Sequence, residues 1–181
     1  MQPYIFLIPE EKAIKEIYKI RKTILDRGLA EKDPRNTALP HITLVYFEEN
    51  LTDSKIQKTL NQLKSLKFDT PIHLGIKDIV SWEEKVVAML EISPLKTIKA
   101  NLGELLRKTD IKFNKEYMKL YGDTIGDHMK LARQVSLNKQ EQVKRMFREQ
   151  LPDIMKFERV AFIDYGAEEK DILWQKQAGS E

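Results

Sequence analysis

Pro40-His41-Ile42-Thr43-Leu44-Val45-Tyr46-Phe47 is the stretch from which the rest of the chain can be read. β-Branched and aromatic residues dominate it, and Pro34, Asn36 and Pro40 break the chain ahead of it. It therefore predicts a strand entered from a loop. In a strand, residues i and i+2 share a face. His41 and Thr43 then lie together, while Ile42 and Leu44 turn to the core. Starting 87 residues after His41, His128-Met129-Lys130-Leu131-Ala132-Arg133 repeats the pattern. There His128 and Lys130 share one face, and Met129 and Leu131 take the other.

Working outward, the chain states one order of elements twice. In the first statement, a strand at Tyr4–Ile8 ends at Pro9. A helix follows from about Glu10 to Arg27, with Ile14, Ile17, Tyr18, Ile24 and Leu25 on one face. After the strand at His41–Phe47, Asp53 caps a helix carrying Ile56, Leu60 and Leu63, and a strand runs from Ile72 to Val80. In the second statement, a strand at Val86–Ile92 is closed by Pro94, and Ile98, Leu102, Leu105 and Leu106 mark a helix ending near Lys108. A loop with Gly122 and Gly126 leads to His128. Asn138 caps a helix carrying Val143, Met146, Phe147 and Leu151, and strands at Phe157–Tyr165 and Ile172–Trp174 finish the chain.

The offsets agree. Pro94 lies 85 residues after Pro9, and Lys156-Phe157 lies 89 after Lys67-Phe68. The expected fold is α+β and bilobal, with two pseudo-symmetric lobes, each an antiparallel-rich sheet with covering helices, and a cleft between them. One domain spans 1–181, with repeat 1 at about 1–81 and repeat 2 at about 82–181.

Composition narrows the function. With 41% hydrophobic and 33% charged residues, the chain is of globular type. No apolar run is long enough to cross a membrane as a helix. Met1-Gln2-Pro3-Tyr4 does not open a secretory signal, so the expected location is cytoplasmic, and the expected state is a monomer. The absence of cysteine removes disulfides, thiolate metal sites and cysteine nucleophiles. Net charge is only +3, yet Lys96–Arg148 holds 13 Lys and Arg against 6 Asp and Glu. A basic segment of that kind suits an anionic ligand, or simply a solvated helix face.

If the two halves pack about a twofold, His41, Thr43, His128 and Lys130 surround one small volume. Two imidazoles can divide acid and base work on a phosphodiester without a metal or other cofactor. The hydroxyl and the ammonium can hold the non-bridging oxygens as charge grows on them. His73, in Ile72-His73-Leu74-Gly75-Ile76, lacks a Thr two residues on and reads as structural. A zinc site from His41, His73 and His128 is not expected, because no paired-ligand spacing is present. Gly122-Asp123-Thr124-Ile125-Gly126 lacks the Lys-Ser/Thr of a P-loop and reads as the turn delivering His128. Tyr46, Phe47, Tyr117, Tyr121 and Trp82 are candidates for stacking on a base, or for packing. Arg133 has the opposite parity to His128 and Lys130. It reaches phosphate only if the strand twists or ends there, and otherwise serves as an ion-pair partner.

Pro40-His41-Ile42-Thr43-Leu44 and His128-Met129-Lys130-Leu131-Ala132-Arg133 resemble the paired H-x-T/S-x motifs of the two-histidine (2H) phosphoesterases, in their LigT-like branch. That branch is named for 2′-5′ RNA ligase activity and acts as RNA 2′,3′-cyclic phosphodiesterases. The resemblance spans almost the whole chain. It implies a metal-independent hydrolase that opens cyclic phosphates on RNA ends or nucleotides to 2′-phosphates. It implies His41 as general acid and His128 as general base, with Thr43 and Lys130 binding phosphate, and Arg133 is the further candidate for phosphate binding. Pseudo-symmetry leaves the reverse assignment equally open. Lys130 departs from the family's Thr or Ser and substitutes a point charge for a hydroxyl. A 2′,5′-phosphodiesterase, a small-nucleotide cyclic phosphodiesterase and a non-catalytic RNA-end-binding module remain the alternatives.

Overall fold

The computed structural model describes residues 3–91, 93–113, 128–164 and 171–180. The first half runs β1 (Tyr4–Pro9), α1 (Glu11–Asp26), β2 (Ile42–Tyr46), α2 (Asp53–Leu63) and β3 (Ile72–Trp82). The second runs β4 (Lys85–Leu90), α3 (Lys96–Arg107), β5 (His128–Arg133), α4 (Gln140–Gln150) and β6 (Ile154–Ile163), and β7 (Ile172–Gln177) is appended. The doubled order read from the sequence is therefore the observed one. The caps differ. Thr52, not Asp53, accepts from the Lys55 N–H at the start of α2, and a 3-10 turn at Leu137–Lys139 stands between Ser136 and α4. Tyr117, Tyr121, the turn expected at Gly122–Gly126 and the strand end expected at Tyr165 lie outside the described residues.

All seven strands join in one antiparallel sheet, ordered β1-β2-β5-β4-β3-β6-β7, with β1 also paired to β6. The pairings obey the pseudo-twofold. β1–β2 corresponds to β4–β5, and β1–β6 to β4–β3, while β2–β5 and β3–β6 cross the axis. The third strand of each half thus pairs with the first strand of the other, tying the two halves together. Hydrophobic burial follows the same plan. Ile17, Ile20 and Ile24 of α1, Ile42 and Leu44 of β2, Met129 and Leu131 of β5, and Val143 and Phe147 of α4 share one core. A smaller cluster of Phe6, Ile8, Ile14, Leu39, Ala161 and Ile163 lies apart from it. Among the described residues no helix is long and apolar enough to cross a membrane.

Candidate active site

The two motif strands meet at a single ladder pair, Ile42↔Met129. Both residues are fully buried, which fixes the parity of their neighbours. Continuing the antiparallel register by one residue each way sets His41 opposite Lys130 and Thr43 opposite His128. Cross-strand neighbours of this kind have Cβ atoms about 4.5–5.5 Å apart. All four side chains are half-buried, as expected of groups on a cleft floor. The structure therefore brings together the four residues that the sequence put on matching faces.

A β-bulge in each motif strand extends this face. Ile5↔Val45 and Phe6↔Thr43 skip Leu44, and Val86↔Ala132 and Val87↔Lys130 skip Leu131. Two successive residues, Leu44-Val45 and Leu131-Ala132, consequently enter the core. Parity shifts beyond each bulge. Arg133 therefore joins the face of Lys130, and one cavity is lined by Arg21, Arg35, His41, Lys130 and Arg133. Simple alternation put Arg133 on the opposite face; the extra residue in β5 reverses that. Tyr46 likewise joins the face of Thr43. Ring contacts run from Tyr46 to Tyr4 at 5.3 Å, from Tyr4 to Phe6 at 5.4 Å and from Phe6 to His41 at 3.6 Å.

His41 Nδ1 lies 2.6 Å from the Leu39 carbonyl. A carbonyl only accepts, so Nδ1 carries the proton and the neutral ring keeps its lone pair on Nε2. Burial, chiefly, and then the charges of Lys130, Arg21 and Arg133 hold the His41 pKa down to about 3, against the pull of the Leu39 carbonyl. The side chain is half-buried, and every neighbouring charge acts in the same direction as burial. His41 is accordingly neutral at physiological pH. Lys130 is also depressed, to about 8, by burial first and then by Arg133, Lys85 and Arg35. His128 lies edge-on to Trp82 at 5.0 Å.

Sequence reasoning missed the residue that braces this floor. Arg21 is 6% exposed, and its guanidinium donates to four carbonyls: Leu131 at 2.7 Å, Lys130 at 3.0 Å, Asn36 at 3.0 Å and Ala38 at 2.7 Å. It thereby ties the 3-10 turn Pro34–Thr37, just ahead of His41, to β5. Burial depresses its pKa to about 10, so it stays a cation. Asn36 adds a strand-like clasp, accepting from the Arg133 N–H at 3.0 Å and donating to its carbonyl at 3.3 Å. The signal was a cation between Ile20 and Ile24, inside the apolar stripe of α1. Arg21→Ala leaves those buried carbonyls without their charged donor and should cost at least about 2 kcal/mol. The urea midpoint should fall with an unchanged m value, which equilibrium unfolding would show.

Two further candidates resolve plainly. His73 is exposed and lines a separate cavity with Lys67, Phe68, Pro94 and Asn101. Phe47 is fully buried against Phe162, so it packs and cannot stack on a ligand. Trp82, at the β3–β4 hairpin, is 43% exposed and keeps that capacity.

No family model matches this sequence, and no curated protein matches it. Solved structures do. The LigT protein of E. coli complexed with 3′-AMP aligns at TM-score 0.59 and 10% identity, over 99% of this chain and 98% of that one. The TT0787 protein of Thermus thermophilus aligns at 0.55 and 14% identity over the whole of both chains. The chain has the 2H phosphoesterase fold. Usb1 of Kluyveromyces marxianus, at TM-score 0.50 and 10% identity, covers 92% of this chain and 95% of its own. The overall geometry is thus shared at 10–14% identity, and a shared fold at that level does not by itself carry a shared function.

Proposed function

We propose that the protein is a metal-independent phosphodiesterase that opens 2′,3′-cyclic phosphates of RNA ends or nucleotides to 2′-phosphates. The β2–β5 crossing carries this reading, because His41, Thr43, His128 and Lys130 share one face there. A nucleotide bound by the LigT protein of E. coli, 3′-AMP, supports the ligand class.

His41 serves as general base. Neutral, with Nδ1 held on Leu39, it keeps its lone pair on Nε2 and takes a proton from the attacking water. The new P–O bond forms as the bond from phosphorus to the 3′ oxygen breaks. That oxygen takes its proton from His128, leaving a 2′-phosphate. Thr43 and Lys130 hold the non-bridging oxygens. These roles reverse the ones the resemblance implies. With its pKa held down to about 3, the His41 ring carries no second proton at pH 7, so Nε2 accepts and does not donate.

An end-labelled RNA ending in a 2′,3′-cyclic phosphate, incubated with the protein and EDTA, tests the reading. Turnover should persist and give the 2′-phosphate, because two imidazoles supply both proton transfers. Activity lost to EDTA and restored by zinc or manganese would overturn metal independence. A 3′-phosphate product would overturn the assigned bond. Tight binding of the RNA without turnover would make the protein an RNA-end-binding module.

A further inference from the structure

The two halves of the chain differ at the helix position that Arg21 fills. At the 85-residue offset of Pro9 and Pro94, Ile17 of α1 corresponds to Leu102 of α3, and Arg21 corresponds to Leu106. All four are buried, so the two helices present matching stripes to the core. A leucine therefore fills this position well enough for the fold. Burying a guanidinium there instead carries a desolvation cost that an apolar side chain does not. What the guanidinium adds is geometry, since its planar fork fixes several acceptors at once.

Its acceptors border the candidate catalytic groups. The Ala38 carbonyl, 2.7 Å from Nη1, precedes Leu39, whose own carbonyl accepts from His41 Nδ1 at 2.6 Å. The Lys130 carbonyl, 3.0 Å from Nη2, belongs to the residue set opposite His41, and the Leu131 carbonyl, 2.7 Å from Nε, lies at the bulge. One rigid group thus spans the segment that holds the His41 ring and the strand that faces it. Among the described residues the ring makes one hydrogen bond, to Leu39, and otherwise stacks on Phe6 at 3.6 Å. Its tautomer is set by that bond. The Asn36 clasp on Arg133 holds the far end of the turn, and Arg21 holds the end nearer His41.

We propose that Arg21 is a positioning residue for His41: through Ala38 it holds the Leu39 carbonyl where that carbonyl fixes the ring's tautomer, and so keeps Nε2 as the proton acceptor. This rests on the proposed activity, in which His41 is the base. Arg21 acts through backbone carbonyls and not on the substrate. On its outer side it adjoins a cavity of about 890 Å³, which Tyr18, Leu25 and Pro34 line together with exposed Lys22 and Thr37. That cavity gives a small cation a way to the place that a truncated side chain vacates.

The test reads the His41 ring and turnover separately. Nitrogen NMR of the parent's imidazole should show the Nδ1–H form as the single tautomer. Arg21→Lys keeps the charge and the stem but loses the fork. It should mix the two tautomers and lower kcat on adenosine 2′,3′-cyclic phosphate by about tenfold or more, within the loss that a small misplacement causes. Its Kd for adenosine 2′-monophosphate should stay within about twofold of the parent's, because the cation remains. Arg21→Ala should lose more kcat. Millimolar guanidinium chloride, against sodium chloride at equal ionic strength, should then restore part of both kcat and the Nδ1–H signal. Circular dichroism sets the assay temperature below the melting of each variant. If Arg21→Lys is unfolded, Arg21→Leu, which copies the second half's residue, is read in its place by tautomer and kcat. Parent-like kcat, or a parent-like tautomer, in the folded variant would overturn the positioning role and leave Arg21 a brace of the fold alone. If the parent turns over no cyclic phosphate, the proposed activity falls, and the tautomer in Arg21→Lys decides whether Arg21 governs the ring.

Discussion

Replacing His41 or His128 by alanine should lower turnover of a 2′,3′-cyclic phosphate by about a hundredfold or more, the usual loss when a general acid or base is removed. The fold should stand. Both rings are half-buried on the cleft face, and the residues that hold the crossing together are the fully buried Ile42 and Met129. His41→Ala gives up one hydrogen bond to Leu39 and the stacking on Phe6, about 1–2 kcal/mol together. Thermal melts followed by circular dichroism should thus show both variants folded at assay temperature. A variant that is inactive because it is unfolded would assign that histidine to the core. The two losses should also differ in pH dependence. With His41 as base and its pKa near 3, the acidic arm of kcat/KM in the parent should lie well below the usual imidazole range. The acidic arm of kcat should lie higher, because the bound phosphate anion offsets the cations that depress the ring.

Most of this site was legible because strand parity is a local property. The alternation in Pro40–Leu44 and in His128–Leu131 is enough to say which side chains share a face, and the structure agrees at each of them. Parity fails once an extra residue enters a ladder. Nothing in Leu131-Ala132 distinguishes a bulge from an unbroken strand, since two small or apolar residues are equally at home in either. Arg133 was placed on the wrong face for that reason alone. Tyr46 gained its ring contacts through the matching bulge at Leu44-Val45.

Pairing was less legible than order. Each third strand reads as a strand from its own composition, but partner choice depends on contacts more than 60 residues apart in sequence. Ile72–Gly75 pairs with Ile154–Phe157, and Tyr4–Ile163 closes β1 onto β6. A duplicated pattern is equally compatible with two independent sheets and with the exchange observed here. Arg21 illustrates a further limit. Its position within the apolar stripe is visible in the sequence, but the four carbonyls that satisfy it come from a turn and a strand that only the fold brings together.

Lys130→Glu should raise the Kd for adenosine 2′-monophosphate by about a hundredfold or more, since an anion then faces an anion where a half-buried cation stood. Lys130→Thr separates charge from hydrogen bonding at the same position. It should keep measurable turnover, with a weaker dependence on salt, because a partly exposed charge–phosphate attraction is screened over about 8–10 Å at physiological ionic strength. The pH profile gives a sharper test. Lys130 is the leading charge among those that depress His41, so its removal should move the acidic arm of kcat/KM upward. At the other end, the parent's Lys130 loses its proton as pH rises through about 8, and affinity for the 2′-phosphate should fall there. Lys130→Thr has no proton to lose, so that fall should be absent. If Lys130→Glu binds the 2′-phosphate as well as the parent does, the ammonium points to solvent. The second motif would then contribute His128 alone.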